Sequence, residues 1–181
     1  MLKKKPYKSL NTGKIQMIYG LHAVKAALLN TKRVHRELHI TENNLEIAEN
    51  YRSIIKKISI LDHKDFKKLY GGEKSTQGIV LKTNDFERPS LQEFLKNENL
   101  NDKSVLLALD QITDPQNIGS IMRSCALFNC KGIIVAKDNA PDLTPSLYKA
   151  ASGAAEIVNY FRVTNLKRSI SELKKYGYWA Y

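Results

Sequence analysis

The stretch Val105-Leu106-Leu107-Ala108-Leu109 runs straight into Asp110-Gln111-Ile112-Thr113-Asp114-Pro115-Gln116-Asn117-Ile118-Gly119-Ser120-Ile121-Met122-Arg123-Ser124, and its reading decides the fold. A short unbroken apolar run is the pattern of a strand buried on both faces, as in a parallel sheet. Asp114-Pro115 forces a turn after it. A helix is then expected over roughly Ile118 to Phe128. Gly132 to Ala136 repeats the apolar run as a second strand. A Pro-bounded loop leads to a helix over Pro145 to Ala151, and Glu156 to Phe161 reads as a short strand. Thr164 or Asn165 is expected to cap a helix running to Tyr176, where Gly177 ends it. Tyr178 to Tyr181 reads as the start of a further strand. Strands alternating with helices imply an α/β fold whose parallel sheet has right-handed crossovers. Such sheets carry their sites at the carboxyl ends of the strands.

Upstream the pattern differs. Residues 1–16 are basic and polar and read as a disordered arm. Gly20 leads into a helix over Leu21 to Leu29, with Leu21, Val24 and Leu28 at helical spacing. Glu37 to Ile40 alternates as a strand. Leu45 to Lys57 reads as a helix with Ile47, Tyr51, Ile54 and Ile55 inward. Ile58 to Leu61 is a strand, Asp62 caps a helix to Leu69, and Gly78 to Lys82 is another strand. Residues 17–83 therefore form a small α/β unit. The polar stretch 84–102 reads as a linker, and the apolar strands begin after it, in residues 103–181.

The 181 residues carry 29 Lys and Arg against 18 Asp and Glu, a net charge of +11. Residues 1–100 hold 19 basic and 11 acidic residues, so most of the excess lies in the first half. Such a balance points to a polyanionic partner, with nucleic acid first. With 43% apolar residues the chain has enough material for a core. No apolar run approaches the roughly 18 residues of a membrane span, so no membrane association is expected. Cys125 and Cys130 suit neither a disulfide framework nor a metal site, and read as small core residues in a reducing cytoplasm.

Chemistry concentrates in the loop and helix after Leu109. Asn117 can cap the helix by accepting from its free amides. Gly119 and Arg123 are four apart and share a helix face. Long helical side chains lean toward the N-terminus, so Arg123 is expected to lie back across Gly119 and set its guanidinium beside Asn117. A planar cation suits a phosphate or a developing oxyanion. Taken singly, the same residues also fit plainer roles. Asn117 can be only a cap, Arg123 a solvated surface group, Gly119 a close-packing position, and Asp110 and Asp114 turn formers.

Their order, however, closely resembles the first signature motif of the SpoU family, within the SPOUT superfamily of RNA methyltransferases. Ile18-Tyr19-Gly20-Leu21-His22-Ala23-Val24 resembles the start of that family's N-terminal substrate-binding domain, and Gln77-Gly78-Ile79-Val80 its closing strand. Ala151-Ser152-Gly153-Ala154-Ala155-Glu156 and Val163-Thr164-Asn165-Leu166 match in order too. The subgroup most resembled is the bacterial enzyme that methylates a guanosine ribose in large-subunit rRNA. The resemblance implies a ribosomal-protein-like α/β substrate-binding domain followed by part of a SPOUT, or α/β-knot, domain. It implies methyl transfer from S-adenosylmethionine to a ribose 2′-hydroxyl in RNA, in the cytoplasm, by a homodimer and without a metal.

By this resemblance Arg123 activates the hydroxyl and Asn117 helps shape the site. Because arginine is nearly always protonated, electrostatic activation is favoured over general-base action. Glu156 is expected near the same centre, orienting Arg123, or else as a plain charge at a strand start. Two further family motifs, which form the knot and most of the cofactor pocket, have no match up to Tyr181. The cofactor-binding residues are accordingly expected beyond Tyr181, and the chain by itself is expected to be inactive. The alternative is a non-catalytic RNA-binding remnant, whose first domain docks RNA through Lys32, Arg33 and Arg36.

On either reading, RNA binding should be weak and should fall steeply between low and moderate salt, because neutralised phosphates release counterions. A titration with a flat salt response would contradict a backbone-directed basic surface.

Overall fold

Alternation along the early strands builds a sheet with one apolar face. The computed structural model describes residues 11–71, 73–97 and 104–181. Strands β1 (Asn11–Tyr19), β2 (His35–Ile40), β3 (Lys57–Ile60) and β4 (Ile79–Phe86) form the order β1-β4-β2-β3. The β1–β4 and β2–β4 pairs are antiparallel, and β2–β3 is parallel. Ile18, Leu81 and Leu38 lie in register and fully buried. They face helix α1 (Leu21–Leu29), whose inward residues are Ala23, Val24, Ala27 and Leu28. Helices α2 (Leu45–Asn50), α3 (His63–Tyr70) and α4 (Glu73–Thr76) complete this half. Asp62 caps α3, accepting from the Asp65 amide at 2.7 Å, as its sequence position predicts.

The second half holds α5 (Leu91–Asn97), β5 (Leu106–Leu109), α6 (Pro115–Leu127), β6 (Gly132–Ala136), α7 (Pro145–Ala151), β7 (Asn159–Val163) and α8 (Leu166–Lys175). Its sheet has the order β5-β6-β7, all parallel. Side chains alternate across it. Ile133, Val135 and Tyr160 pack on the α6–α7 side, while Ile134 and Phe161 pack with Leu91 and Leu95 of α5 and Leu173 of α8. The two sheets are separate, yet one apolar cluster runs from Ile18, Val24 and Leu38 through Leu147 and Tyr148 to Ile118, Met122 and Ile133.

Several elements differ from their sequence reading. Residues 11–16 of the expected arm belong to β1, because β4 extends to Phe86 and offers them a pairing edge; residues 1–10 lie outside the described residues. Helix α2 ends at Asn50 instead of Lys57. The β-branched pair Ile54-Ile55 favours helix weakly, and Ile54 is exposed while Ile55 is buried. The expected linker is ordered in part, since β4 takes Asn84 to Phe86 and α5 covers the second sheet; residues 98–102 lie outside the described residues. Strand β5 is not buried on both faces, because it is an edge strand here and leaves Val105 and Leu107 exposed. Tyr178 to Tyr181 form no strand; Tyr178 bonds Ser104 and Trp179 is exposed. Glu156 lies in a short 3₁₀ turn, Ala154–Glu156, and the strand starts later, at Asn159.

Both cysteines are free thiols, and burial with help from Cys130 pushes the Cys125 thiol up to about 11. Among the described residues, no helix is long and apolar enough to cross a membrane, and no group of three or more His, Cys, Asp or Glu is set to hold a metal.

On the face of the first sheet turned away from the shared core, Glu37 receives Lys82 and Lys57, each at 2.9 Å, and His39 at 3.1 Å. These hydrogen bonds hold the Glu37 carboxyl down at about 2. Burial keeps the His39 pKa below its usual value. Both groups therefore bind protons more readily when unfolded, so they stabilise the fold at higher pH and lose that contribution as pH falls. The thermal midpoint should be highest above about pH 6.5. It should drop first as His39 is forced to charge, and again below about 4.5 as Glu37 titrates. Melting curves across this range test the sign, and a midpoint that rises on acidification would contradict it. Glu37→Gln should flatten the lower limb.

Candidate active site

Asp114, not Asn117, caps the critical helix. Its carboxylate accepts from the Gln116 amide at 2.9 Å, and Pro115 occupies the first turn, where a missing amide hydrogen costs nothing. Asn117 thus lies inside α6, exposed, on the side where the β5 strand ends. Gln111 in the connecting loop has φ of 56°, a left-handed conformation that non-glycine residues adopt only when the surroundings impose it. Asn117, Ser120 and Ile121 line a hollow of about 410 Å³ together with Gln111, Ile112, Thr113 and Asp114.

Gly119 faces α7 rather than open space. A Cβ there would stand 2.5 Å from the Ala150 Cβ and 2.8 Å from the Ala150 carbonyl carbon. Its absence lets α6 and α7 touch backbone to backbone, which is the close-packing role. Arg123, one turn on, crosses this contact. It donates to the Ala150 carbonyl at the carboxyl end of α7, and to Ser120 Oγ at 3.3 Å. A cation at a helix carboxyl end meets the negative end of the dipole. Arg123 does lean toward the N-terminus, but only as far as Ser120, which lies between it and Asn117. Arg123 lines a different cavity, an open groove of about 790 Å³ between the ends of α1, α6 and α7. Leu29, Leu127 and Ile157 make that groove largely apolar, and Glu156 lies at its floor.

Glu156 does not orient Arg123. It accepts from Arg33 through both oxygens, Nε to Oε2 at 2.9 Å and Nη2 to Oε1 at 2.8 Å, and from Asn30 Nδ2 at 2.6 Å. The side chains are 0% and 4% exposed, so this is a buried ion pair joining the two halves of the chain. Arg33 further donates to Gln16, to the Asn84 carbonyl and to Tyr148 Oη, and stacks 4.9 Å from the Phe86 centroid. Burial works against its charge, but Glu156 and Tyr148 more than offset this and raise its pKa. Arg88 joins from the other side, donating to Tyr148 Oη at 2.8 Å and to the Ala155 carbonyl at 3.1 Å.

Of the expected RNA-facing trio, Lys32 and Arg36 are exposed and Arg33 is not. Arg33 is enclosed and cannot meet a phosphate. Arg36 Nε is held by Asn84 Oδ1 at 2.6 Å. Lys32 is exposed near the Phe86 ring, with Nζ 5.9 Å from its centroid. Sequence reading did not single out Asn30, Arg88 or Tyr148. Spacing carries no signal for them, because Asn30 meets Glu156, Tyr148 meets Arg33 and Arg88 meets Tyr148 only across the interface.

The loop and helix at the end of β5 suit a polar ligand, but every residue lining the smaller hollow comes from the one stretch Gln111–Ile121. A cofactor site buries most of its ligand between several walls. The described residues thus line this hollow from one side only and do not by themselves enclose a cofactor.

A four-stranded α/β unit docked on the α7 side of a three-stranded parallel sheet, with a polar hollow at a strand end, is a two-part α/β architecture. Residues 17–89 match the model for RNA 2′-O ribose methyltransferase substrate binding, and residues 104–181 match the SpoU rRNA Methylase family. The chain is 33% identical over 174 residues to the 23S rRNA (guanosine-2′-O-)-methyltransferase RlmB of Coxiella burnetii, covering 92% of this chain and 68% of that protein. It is 32% identical over 169 residues to a putative TrmH family tRNA/rRNA methyltransferase, YacO, of Bacillus subtilis, covering 90% and 67%. Among solved structures, an RNA 2′-O ribose methyltransferase superposes with a TM-score of 0.69 at 17% identity, covering 90% of this chain and 60% of that one. The SpoU methyltransferase AviRb of Streptomyces viridochromogenes, in complex with AdoMet, gives 0.66 at 18%, covering 88% and 59%. The chain belongs to the SpoU rRNA methylase family. It spans about two thirds of the length of these curated relatives and about three fifths of the solved chains.

Breaking the buried pair from one side leaves an uncompensated charge. Arg33→Met should therefore cost about 3–5 kcal/mol of stability in chemical denaturation, with Glu156→Leu alone similarly harmful. The double variant should recover much of the loss. Equal destabilisation by the double and single variants would show that packing, not the charge pair, holds the halves together.

Proposed function

We propose that this protein acts in 2′-O-methylation of a ribose in large-subunit rRNA, at a guanosine, with S-adenosylmethionine as donor. The observation that carries this reading is the α6 arrangement, where Arg123, Ser120 and Asn117 run from the end of α7 to the hollow at the end of β5. Residues 17–83 serve as the substrate-binding domain, and residues 103–181 contribute the first part of the methyltransferase domain. S-adenosylmethionine supplies the electrophilic methyl group when bound.

The chain's own residues would act on the hydroxyl. A ribose 2′-hydroxyl is a poor nucleophile until its proton leaves or its charge is stabilised. The Arg123 guanidinium is exposed, and Ala150 and Ser120 occupy only part of its five donors. The rest can face a phosphate or the developing oxyanion, with worth that grows once water is excluded. Asn117, exposed at the hollow, can donate and accept to position a sugar or base. Glu156 acts indirectly, by holding the 3₁₀ turn and α7 end on which Arg123 rests.

We also infer a second copy of the chain as partner. The apolar rim of the larger groove, with Leu29, Leu127 and Ile157 exposed and Phe128 beside them, supports this reading, since such patches are rare on monomers. The cytoplasm is the compartment that rRNA modification implies.

Because the hollow at the end of β5 is lined from one side only, this chain should not bind S-adenosylmethionine at micromolar concentration and should not methylate unmodified rRNA. Calorimetry and a methyl-transfer assay test this. Turnover abolished by Arg123→Ala would overturn the incomplete-pocket reading while supporting the reaction class. Methyl transfer to a base nitrogen in place of a ribose oxygen would overturn the reaction class itself.

A further inference from the structure

We propose that the outer face of the first sheet, where α3 and β3 meet, is a docking surface for the sugar–phosphate backbone of RNA, remote from the Arg123 site. The inference rests on the RNA reading above and locates where the substrate is gripped. Within residues 17–89, Arg33 and Arg88 are committed to the protein, while Arg36 is exposed with its Nε engaged. Arg33 is enclosed with Glu156, and Arg88 is held by Tyr148 and Ala155. Most of the exposed positive charge of residues 17–89 collects elsewhere. Residues 52–70 hold Arg52, Lys56, Lys57, Lys64, Lys67 and Lys68 against Asp62 and Asp65, a net of +4 in about a tenth of the chain. All six basic residues are exposed.

Four of them, Lys57 of β3 and Lys64, Lys67 and Lys68 of α3, come together from two elements. On α3, Lys64, Lys67 and Lys68 fall at spacings of three and four, so they share one face. Phe66 is fully buried on the opposite side, with Tyr70 a turn further on, and the Tyr70 hydroxyl meets His39 Nδ1 at 2.8 Å. That contact seats α3 over the Val80–His39–Ser59 row of the sheet. The next row, Met17–Lys82–Glu37–Lys57, stands beside the helix on the same face. Glu37 pairs with two lysines there, so the row still carries a net positive charge. The lysine stripe of α3 and this row form one basic shelf.

The shelf faces away from the apolar cluster shared by the two halves. β3 is the far edge strand, and β1 is the edge that abuts α7. Four strands at about 4.8 Å place the two edges on the order of 15 Å apart. A nucleotide bound near Arg123 would not reach the shelf; a folded RNA would span both. Lysines on flexible stems suit phosphates as point charges, not base edges. The surface therefore holds an RNA by its backbone and leaves the choice of nucleotide to the Arg123 side.

The test uses the full 181-residue chain and a transcript of a large-subunit rRNA fragment, followed by fluorescence anisotropy at graded salt. Lys64, Lys67 and Lys68 are replaced together by Gln. A control replaces Lys167, Lys174 and Lys175 of α8, which removes the same charge from the other half. Each phosphate contact contributes about 0.7–0.9 to the slope of log affinity against log salt. The α3 variant should therefore lose about 2 units of slope and roughly tenfold or more in affinity at low salt, while the α8 control changes little. Unchanged thermal midpoints confirm that both variants fold. Failure of the unaltered chain to bind the transcript would overturn the RNA reading itself. Binding by the unaltered chain with equal losses in the two triple variants, or no loss in the α3 variant, would overturn the shelf and keep the RNA reading.

Discussion

The Arg33–Glu156 pair is the contact on which the relation between the two halves depends. An arginine and a glutamate, both almost wholly out of water, are costly unless every donor and acceptor is met. Here they are met from four places at once. Gln16 comes from β1, Asn30 from the end of α1, Asn84 from β4 and Tyr148 from α7. No one element can satisfy the pair alone, so it forms only when the halves are docked in one orientation. Large opposing terms make such a pair weak as a source of stability and strong as a constraint on geometry.

Local backbone choices serve the same approach. Ser152 and Gly153 both take left-handed conformations, with φ of 48° and 95°, and turn the chain from α7 into the 3₁₀ turn that carries Glu156. A Cβ at Gly153 would stand 2.7 Å from the Ala26 Cβ of α1, so only glycine lets the two helices close over the pair. The order Ser152-Gly153-Ala154-Ala155-Glu156, met first as part of a resemblance, thus has a structural content. It is a tight turn of small residues that delivers one carboxylate to an arginine in the other half.

This commitment shapes the site as well. With Glu156 fully engaged, Arg123 depends on the Ala150 carbonyl and Ser120 for its position, and its remaining donors are available to a ligand. The same α6–α7 contact that excludes a side chain at Gly119 holds Arg123 over the end of α7. The polar hollow and the apolar groove consequently open on different faces of α6, with Arg123 bordering the groove and Asn117 the hollow.

What the amino-acid sequence determined by itself was whatever depends on near neighbours. The apolar run at Val105–Leu109, the Asp62 cap and the Asn165 cap are legible because period and capping act within one or two turns. The kinship of the chain was legible for a related reason, since the order of residues within short segments reflects local geometry that this chain shares with its relatives. Tertiary structure alone decided the rest. Asp114 displaced Asn117 as cap because the loop geometry brought its carboxylate to the Gln116 amide. Strand β5 read as doubly buried, but its position at the sheet edge left it open. Arg33 and Glu156, 123 residues apart, were read as an RNA contact and a neighbour of Arg123 because charge alone does not say which partner a side chain will meet. Only the docking of two sheets through one core removes both from water, and a charge removed from water must take the partner that the fold provides.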